Sequence, residues 1–160
     1  MAVTYEPIAT QTLGSAAATV TFSSIPSTYT DLVAIVTGTL TTGADNVCMQ
    51  FNGVTGTSYS ATAVLGDGST ASSFGAQNLT NCGRDVLGTT QGLVTYNINN
   101  YSNTTTFKTV LGRSSLANYG TRTSVSLWRD TSAINQIVFF PTAYTFNTGC
   151  VFTIYGIKAA

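Results

Sequence analysis

From residue 93 to residue 129 the chain reads LVTYNINNYSNTTTFKTVLGRSSLANYGTRTSVSLWR, three runs of alternating character divided by short polar breaks. Val94, Tyr96 and Ile98 alternate with Thr95 and Asn97. The Asn- and Thr-rich cluster at 99–105 then leads into Phe107, Thr109 and Leu111, and a second break leads into Val125 and Leu127. A period of two sends alternate side chains to opposite faces of a sheet, and Asn, Ser and Gly between such runs make turns. The stretch predicts a β-meander, with the named apolar residues of its three runs facing a core.

The remainder continues the pattern. Thr and Ser together exceed a quarter of the 160 residues, and long runs of Ala, Leu, Glu and Lys are missing. β-branched Thr fits a pleated, half-buried surface, so strands are favoured almost throughout. Residues 1–12, with Pro7 inside them, read as an edge strand or an extended arm, because proline removes a ladder donor. Val20 and Phe22 mark a short strand. In DLVAIVTGTL, Leu32, Ala34 and Val36 face one side while Val33 and Ile35 face the other, as in a central strand covered on both faces. Val47, Met49 and Phe51 point inward from the next strand, and another runs from Tyr59 to Leu65.

The weakest strand pattern lies at 69–92, where Phe74 and Leu79 suggest one strand, Asn81, Gly83, Gly88 and Gly92 suggest loop, and a small helix is an option. Asp130 is placed to cap a helical turn at 130–133. Ile134 to Phe140 and CVFTIYGIK at 150–158 complete the strands. Both chain ends are expected in one sheet, pairing near 31–37. Nine to eleven strands at short spacing, with no fixed repeat, predict one all-β antiparallel sandwich domain over residues 1–160.

Composition narrows the function classes. Only 8% of residues are charged, and six basic and six acidic side chains cancel. Nucleic acid and anionic membranes are not expected partners, since counterion release needs clustered Lys and Arg. A surface so poor in charge suits an exterior covered by other subunits. The opening MAVTYEPIAT has no basic region before an apolar run, so no secretory signal is expected. Cys48, Cys82 and Cys150 are odd in number and widely spaced, which fits reduced buried thiols. The sequons at Asn78, Asn100 and Asn103 then reduce to turn composition.

With no histidine in the chain, Ser/His and Cys/His nucleophile pairs are excluded. Glu6, Asp31, Asp45, Asp67, Asp85 and Asp130 each fall at a turn or strand end by this reading. Two of them would have to converge to act as a glycosidase pair; capping and turn duty is the plainer role. The turn Gly66-Asp67-Gly68, with Asp45 or Asn52, offers hard oxygens of the type calcium takes, without motif spacing; a tight turn is again the plainer role. No metal and no cofactor are expected. Tyr101, Tyr119 and Trp128 with Arg129, together with the loop from Asn52 to Tyr59, are the candidate ligand or partner contacts, since aromatic faces stack on sugar rings and Arg holds hydroxyls or carboxylates. Trp128 equally suits a core or rim position.

The pieces SSIPSTYTDLVAIVTG, MQFNGVTGTSYSATAVLGDGSTASS, INNYSNTTTFKTVLGRSS, VSLWRDTSAINQI and FTIYGIKA resemble a family of small virion proteins of tailed bacteriophages. Many members come from marine and freshwater viruses, cyanophages among them. The similarity spans most of the chain and leaves residues 75–92 unmatched. It implies a jelly-roll-like sandwich without catalysis, made in the bacterial cytoplasm and carried in the virion. The expected role is a capsid decoration, or cement, protein, a homotrimer seated where capsomers meet and stabilising the shell. The alternative is a tail or fibre component whose loops bind host-surface carbohydrate.

Overall fold

A computed structural model describes residues 4–117 and 119–158. Residues 1–3, the start of the expected N-terminal arm, lie outside the described residues. Twelve strands and no helix occur among those described: β1 (Tyr5–Thr12), β2 (Val20–Phe22), β3 (Asp31–Gly38), β4 (Asp45–Phe51), β5 (Tyr59–Gly66), β6 (Ala71–Leu79), β7 (Cys82–Leu87), β8 (Gly92–Asn99), β9 (Lys108–Leu116), β10 (Gly120–Trp128), β11 (Ile137–Pro141) and β12 (Val151–Ile157). All pairings are antiparallel. The wide sheet runs β1-β12-β3-β8-β9-β10-β5-β6 and the narrow one β2-β11-β4-β7. Taken alone, β1-β12-β3-β8 opposite β2-β11-β4-β7 is the eight-strand, double Greek-key arrangement of a jelly roll. The other four strands form a wing. β5 and β6 are inserted between β4 and β7, β9 and β10 between β8 and β11, and together they extend the wide sheet beyond β8.

The expected meander is real: β8, β9 and β10 pair in sequence. The chain ends also meet as predicted, with β1 on β12 and β12 on β3 through Val151↔Thr37 to Ile157↔Asp31. β1 is an edge strand, which Pro7 tolerates. Between the sheets lies a core of Leu32, Ala34, Val36, Val47, Met49, Phe51, Val94, Tyr96 and Ile98, joined by Phe139, Phe146, Phe152 and Trp128. Phe146 and Phe152 meet edge to face at 4.8 Å, a favoured aromatic geometry. Burying these side chains on the jelly-roll strands is the main driving force for folding.

Three sequence expectations need correction. The segment 69–92 holds two strands, β6 and β7, rather than one strand and a loop, and the strand total is twelve rather than nine to eleven. Residues 130–133 form no helical turn; the Asp130 carboxylate accepts the Ser132 N–H at 2.7 Å in a bend. The faces of β9 and β10 are also reversed. Lys108, Val110, Gly112, Ser114 and Leu116 point inward on β9, and Ser124, Ser126 and Trp128 on β10, while Phe107, Leu111 and Val125 are 50%, 39% and 49% exposed.

The physical reason for that reversal is the bare edge of β7. This strand ends the narrow sheet, pairs only with β4, and lies over the inward face of β9 and β10. Its unpaired backbone donors need acceptors. The Gly83 N–H donates to Ser126 Oγ at 3.1 Å and the Val86 N–H to Ser114 Oγ at 2.9 Å. Serine is inward because it completes a strand edge, and the aliphatic partners of the alternation are left outside.

Candidate functional site

The residues singled out from the sequence are mostly structural. Tyr59, Tyr101 and Trp128 are fully buried and have no open ring face, which corrects their assignment as contacts for an outside ligand. Trp128 stacks on Tyr59 with ring centroids 6.2 Å apart and an angle of 16°, and lies 5.4 Å from Phe51. The Tyr59 hydroxyl donates to the Val54 carbonyl and accepts the Phe51 N–H, and burial pushes its pKa up to about 12. Tyr101 donates to the Pro26 carbonyl. Arg129 is spent on Ser60 Oγ at 3.0 Å and the Tyr59 carbonyl at 3.1 Å. Asn52, at φ 52°, ties three backbone groups of the 133–136 segment: its Oδ1 accepts from Asn135 and Gln136, and its Nδ2 donates to Ala133.

The carboxylates are similarly employed. Glu6 pairs with Lys158 at 2.7 Å and accepts the Tyr29 hydroxyl. Asp31 accepts the Asn100 N–H at 2.5 Å, and Asp45 binds the Thr142 hydroxyl and the Ala143 N–H. Asp67 gathers the N–H groups of Ser69 and Thr70, which hold its pKa well below the usual aspartate range. No three acidic, cysteine or histidine side chains cluster as metal ligands among the described residues. All three cysteines are free and buried; desolvation pushes the Cys48 thiol up to about 12 and also raises the Cys82 thiol well above the usual range.

Asp85 is the carboxylate whose placement differs from its sequence reading. It is fully buried in the middle of β7 rather than at a strand end. Ser124 donates to its Oδ2 at 2.5 Å, while Oδ1 is buried without a partner. Burial raises its pKa to about 6, against the opposing pull of Ser124 and the Arg122 charge. Room for the carboxylate exists only because residue 112 is glycine, since a Cβ there would lie 1.9 Å from Asp85 Oδ2.

The surface that stands out is the outward face of the wide sheet. The strand registers align Thr62, Val125, Leu111, Asn97, Val33 and Tyr155 in one row across six strands. Val64, Thr123, Arg113, Thr95, Ile35 and Thr153 form the next row. Val64 is 56% and Leu93 43% exposed on this same face. In these two rows Arg113 is the one charged residue. Sequence reasoning missed this face because it assigned Leu111 and Val125 inward. The overlooked signal was Trp128, which shares its phase with Ser124 and Ser126; the largest ring on the strand marks the buried side.

No protein-family model matches the chain, and no curated protein matches it in sequence. Among solved structures, the exo-inulinase of Aspergillus awamori is similar over 96% of this chain at 12% identity and a TM-score of 0.48. This chain spans 29% of that enzyme's length. The PL-14 alginate lyase of the marine Aplysia kurodai is similar over 85% of this chain and 72% of its own, at 9% identity and a TM-score of 0.38. Likeness at this level says nothing about activity.

Proposed function

We propose that this chain is a bacteriophage virion structural protein, a capsid decoration protein that packs the outward face of its wide sheet against neighbouring subunits. The observation that carries the reading is the pair of rows through Leu111 and Val64, a sheet face of Val, Leu, Ile, Tyr, Thr and one Asn with Arg113 as its one charge. On it Val64, Val125 and Leu111 are exposed while Val33 is already buried. Covering such a face removes apolar area from water while stripping few ions of their hydration. Monomers seldom leave large apolar patches open, and where they do the patch marks a contact site. The sequence resemblance to small virion proteins of tailed phages supplies the setting. The engagement of every carboxylate in backbone or side-chain hydrogen bonds favours a binding role over a catalytic one.

A clamp that binds only the assembled shell stabilises that shell by mass action. Purified particles carrying the protein are therefore expected to outlast particles lacking it under heat or osmotic shock. Equal survival of the two contradicts the proposal. Copy number separates a shell position, with many copies per particle, from a tail or fibre position, with few.

A further inference from the structure

The wing creates a second feature, distinct from the outward face. Where β10, β5 and β6 extend past the edge of β7, their inward side is left partly uncovered. A cleft of about 420 Å³ opens there, lined by Phe74, Arg84, Tyr119 and Arg122 together with Asn46 and Asp45. That volume falls within the range of small-ligand sites. The cleft gathers two of the chain's six cations.

Neither cation is matched by a carboxylate; among the described residues the one ion pair is Lys158 with Glu6. Arg84 makes a long contact from Nη1 to Cys48 Sγ at 3.9 Å. Arg122 is held in place. Its Nη1 donates to Asn46 Oδ1 at 2.8 Å and to the Arg84 carbonyl at 2.7 Å, and its guanidinium carbon lies 5.7 Å from the Phe74 ring centre and 5.9 Å from that of Tyr119. Its Nε is buried without a partner. No carboxylate forms a close ion pair with either guanidinium, although Asp45 lines the cleft and the Arg122 charge acts on Asp85. Asp45 is taken up by Asn46, Thr142 and Ala143, and Asp85 lies behind β7's edge with Ser124.

We infer that this cleft binds an acidic saccharide, its carboxylate on the Arg84 and Arg122 guanidinium groups and a sugar ring against the exposed face of Tyr119. Three features select this chemistry. A guanidinium offers a planar donor fork that matches a carboxylate. Tyr119, 46% exposed, supplies a flat amphipathic surface for the apolar face of a pyranose. Arg122 is already ordered by two hydrogen bonds and two rings, so little side-chain freedom is lost when the ligand arrives. The site is separate from the docking face, and its test does not depend on particle assembly.

The test is calorimetric titration of the full-length protein with trigalacturonate, with an uncharged galactose trisaccharide as the comparison. The acidic sugar is expected to bind, and the neutral one to bind at least about tenfold more weakly, since it lacks the carboxylate that forms charge-assisted hydrogen bonds with the guanidinium groups. Arg84→Gln and Tyr119→Ala, both at the rim and each checked for an unchanged melting temperature, are expected to weaken trigalacturonate binding by a similar factor. Sodium sulfate at the same concentration is expected not to displace the sugar. Absence of trigalacturonate binding, equal binding of the neutral sugar, full binding by both variants, or displacement by sulfate would each overturn the inference.

Discussion

Two strand pairs of the same sheet obey opposite rules. In β3 and β8 the inward residues from 32 to 36 and from 94 to 98 are all apolar or aromatic: Leu32, Ala34 and Val36 lie beside Val94, Tyr96 and Ile98, all buried against the narrow sheet, while Val33, Ile35 and Leu93 take the other face. In β9 and β10 much of the inward set is Gly112, Ser114, Ser124 and Ser126, with Leu111 and Val125 turned to the outside. The strands are equally regular. They differ in what lies opposite. β3 and β8 lie against the interior of the narrow sheet, where most backbone groups are paired, and their inward side chains are apolar apart from the Tyr96 hydroxyl, which donates to the Val47 carbonyl. β9 and β10 face the raw edge of β7, whose N–H groups require acceptors. Hydrophobicity identifies the buried side of a strand only when the opposing layer has no polar demand of its own.

That contrast can be tested in order of depth. Trp128 is the apolar anchor of the wing's inward side, against Tyr59 and Phe51. Trp128→Ala is expected to cost about 3–5 kcal/mol of unfolding free energy in denaturant titration. If Trp128→Ala left stability nearly unchanged, the inward assignment of β10 would be wrong. Ser114→Ala and Ser126→Ala each strand a buried N–H of β7 and are expected to cost about 1–3 kcal/mol. Ser115→Ala, one residue along and facing out, is expected within about 0.5 kcal/mol of the parent. Equal effects at Ser114 and Ser115 would erase the distinction between the two strand pairs.

Asp85 sharpens the same comparison through pH. Its pKa is raised from the ordinary aspartate value to about 6 in the folded chain, so the folded state holds the proton more tightly than the unfolded one. The resulting stabilisation is complete below the unfolded pKa, near 4, and is lost as pH rises through about 6. A shift of this size corresponds to roughly 3 kcal/mol. Stability is therefore expected to fall between pH 4 and pH 7, and Asp85→Asn to flatten that fall. The lowered pKa values of Glu6, Asp67 and Asp130 act in the opposite sense and at lower pH, where those carboxylates take up protons. A wild-type stability that held level or rose across pH 4–7 would mean that the Asp85 site is wetter than it looks.

Much of the jelly-roll half was legible in the sequence. Period-two runs with apolar residues at every second position gave β4 and β8 their correct faces and separated the two sides of β3 without choosing between them, and the strand character of both ends anticipated the pairing of β1, β12 and β3. The wing was less legible. β6 carries Ser, Gly, Gln and Asn on a largely exposed sheet edge, so it has no alternation to detect, and its neighbour β7 buries an aspartate. Tyr59, Tyr101 and Trp128 were singled out for their rings, but large rings are also what a sandwich core needs, and only the packing distinguishes the two uses. Arg84 and Arg122 lie on different strands 38 positions apart and converge through the sheet-to-sheet contact made by β7.

The outward face of the wing is the part of this account most directly open to measurement. The double variant Leu111→Asp, Val125→Asp places two charges in the row that the docking proposal relies on, at exposed positions where the isolated fold tolerates them. Particles assembled with this variant should carry few or no copies by quantitative mass spectrometry of purified virions, while the isolated variant keeps its parent's melting temperature. Incorporation at the wild-type copy number would contradict the assignment of this face as the contact surface.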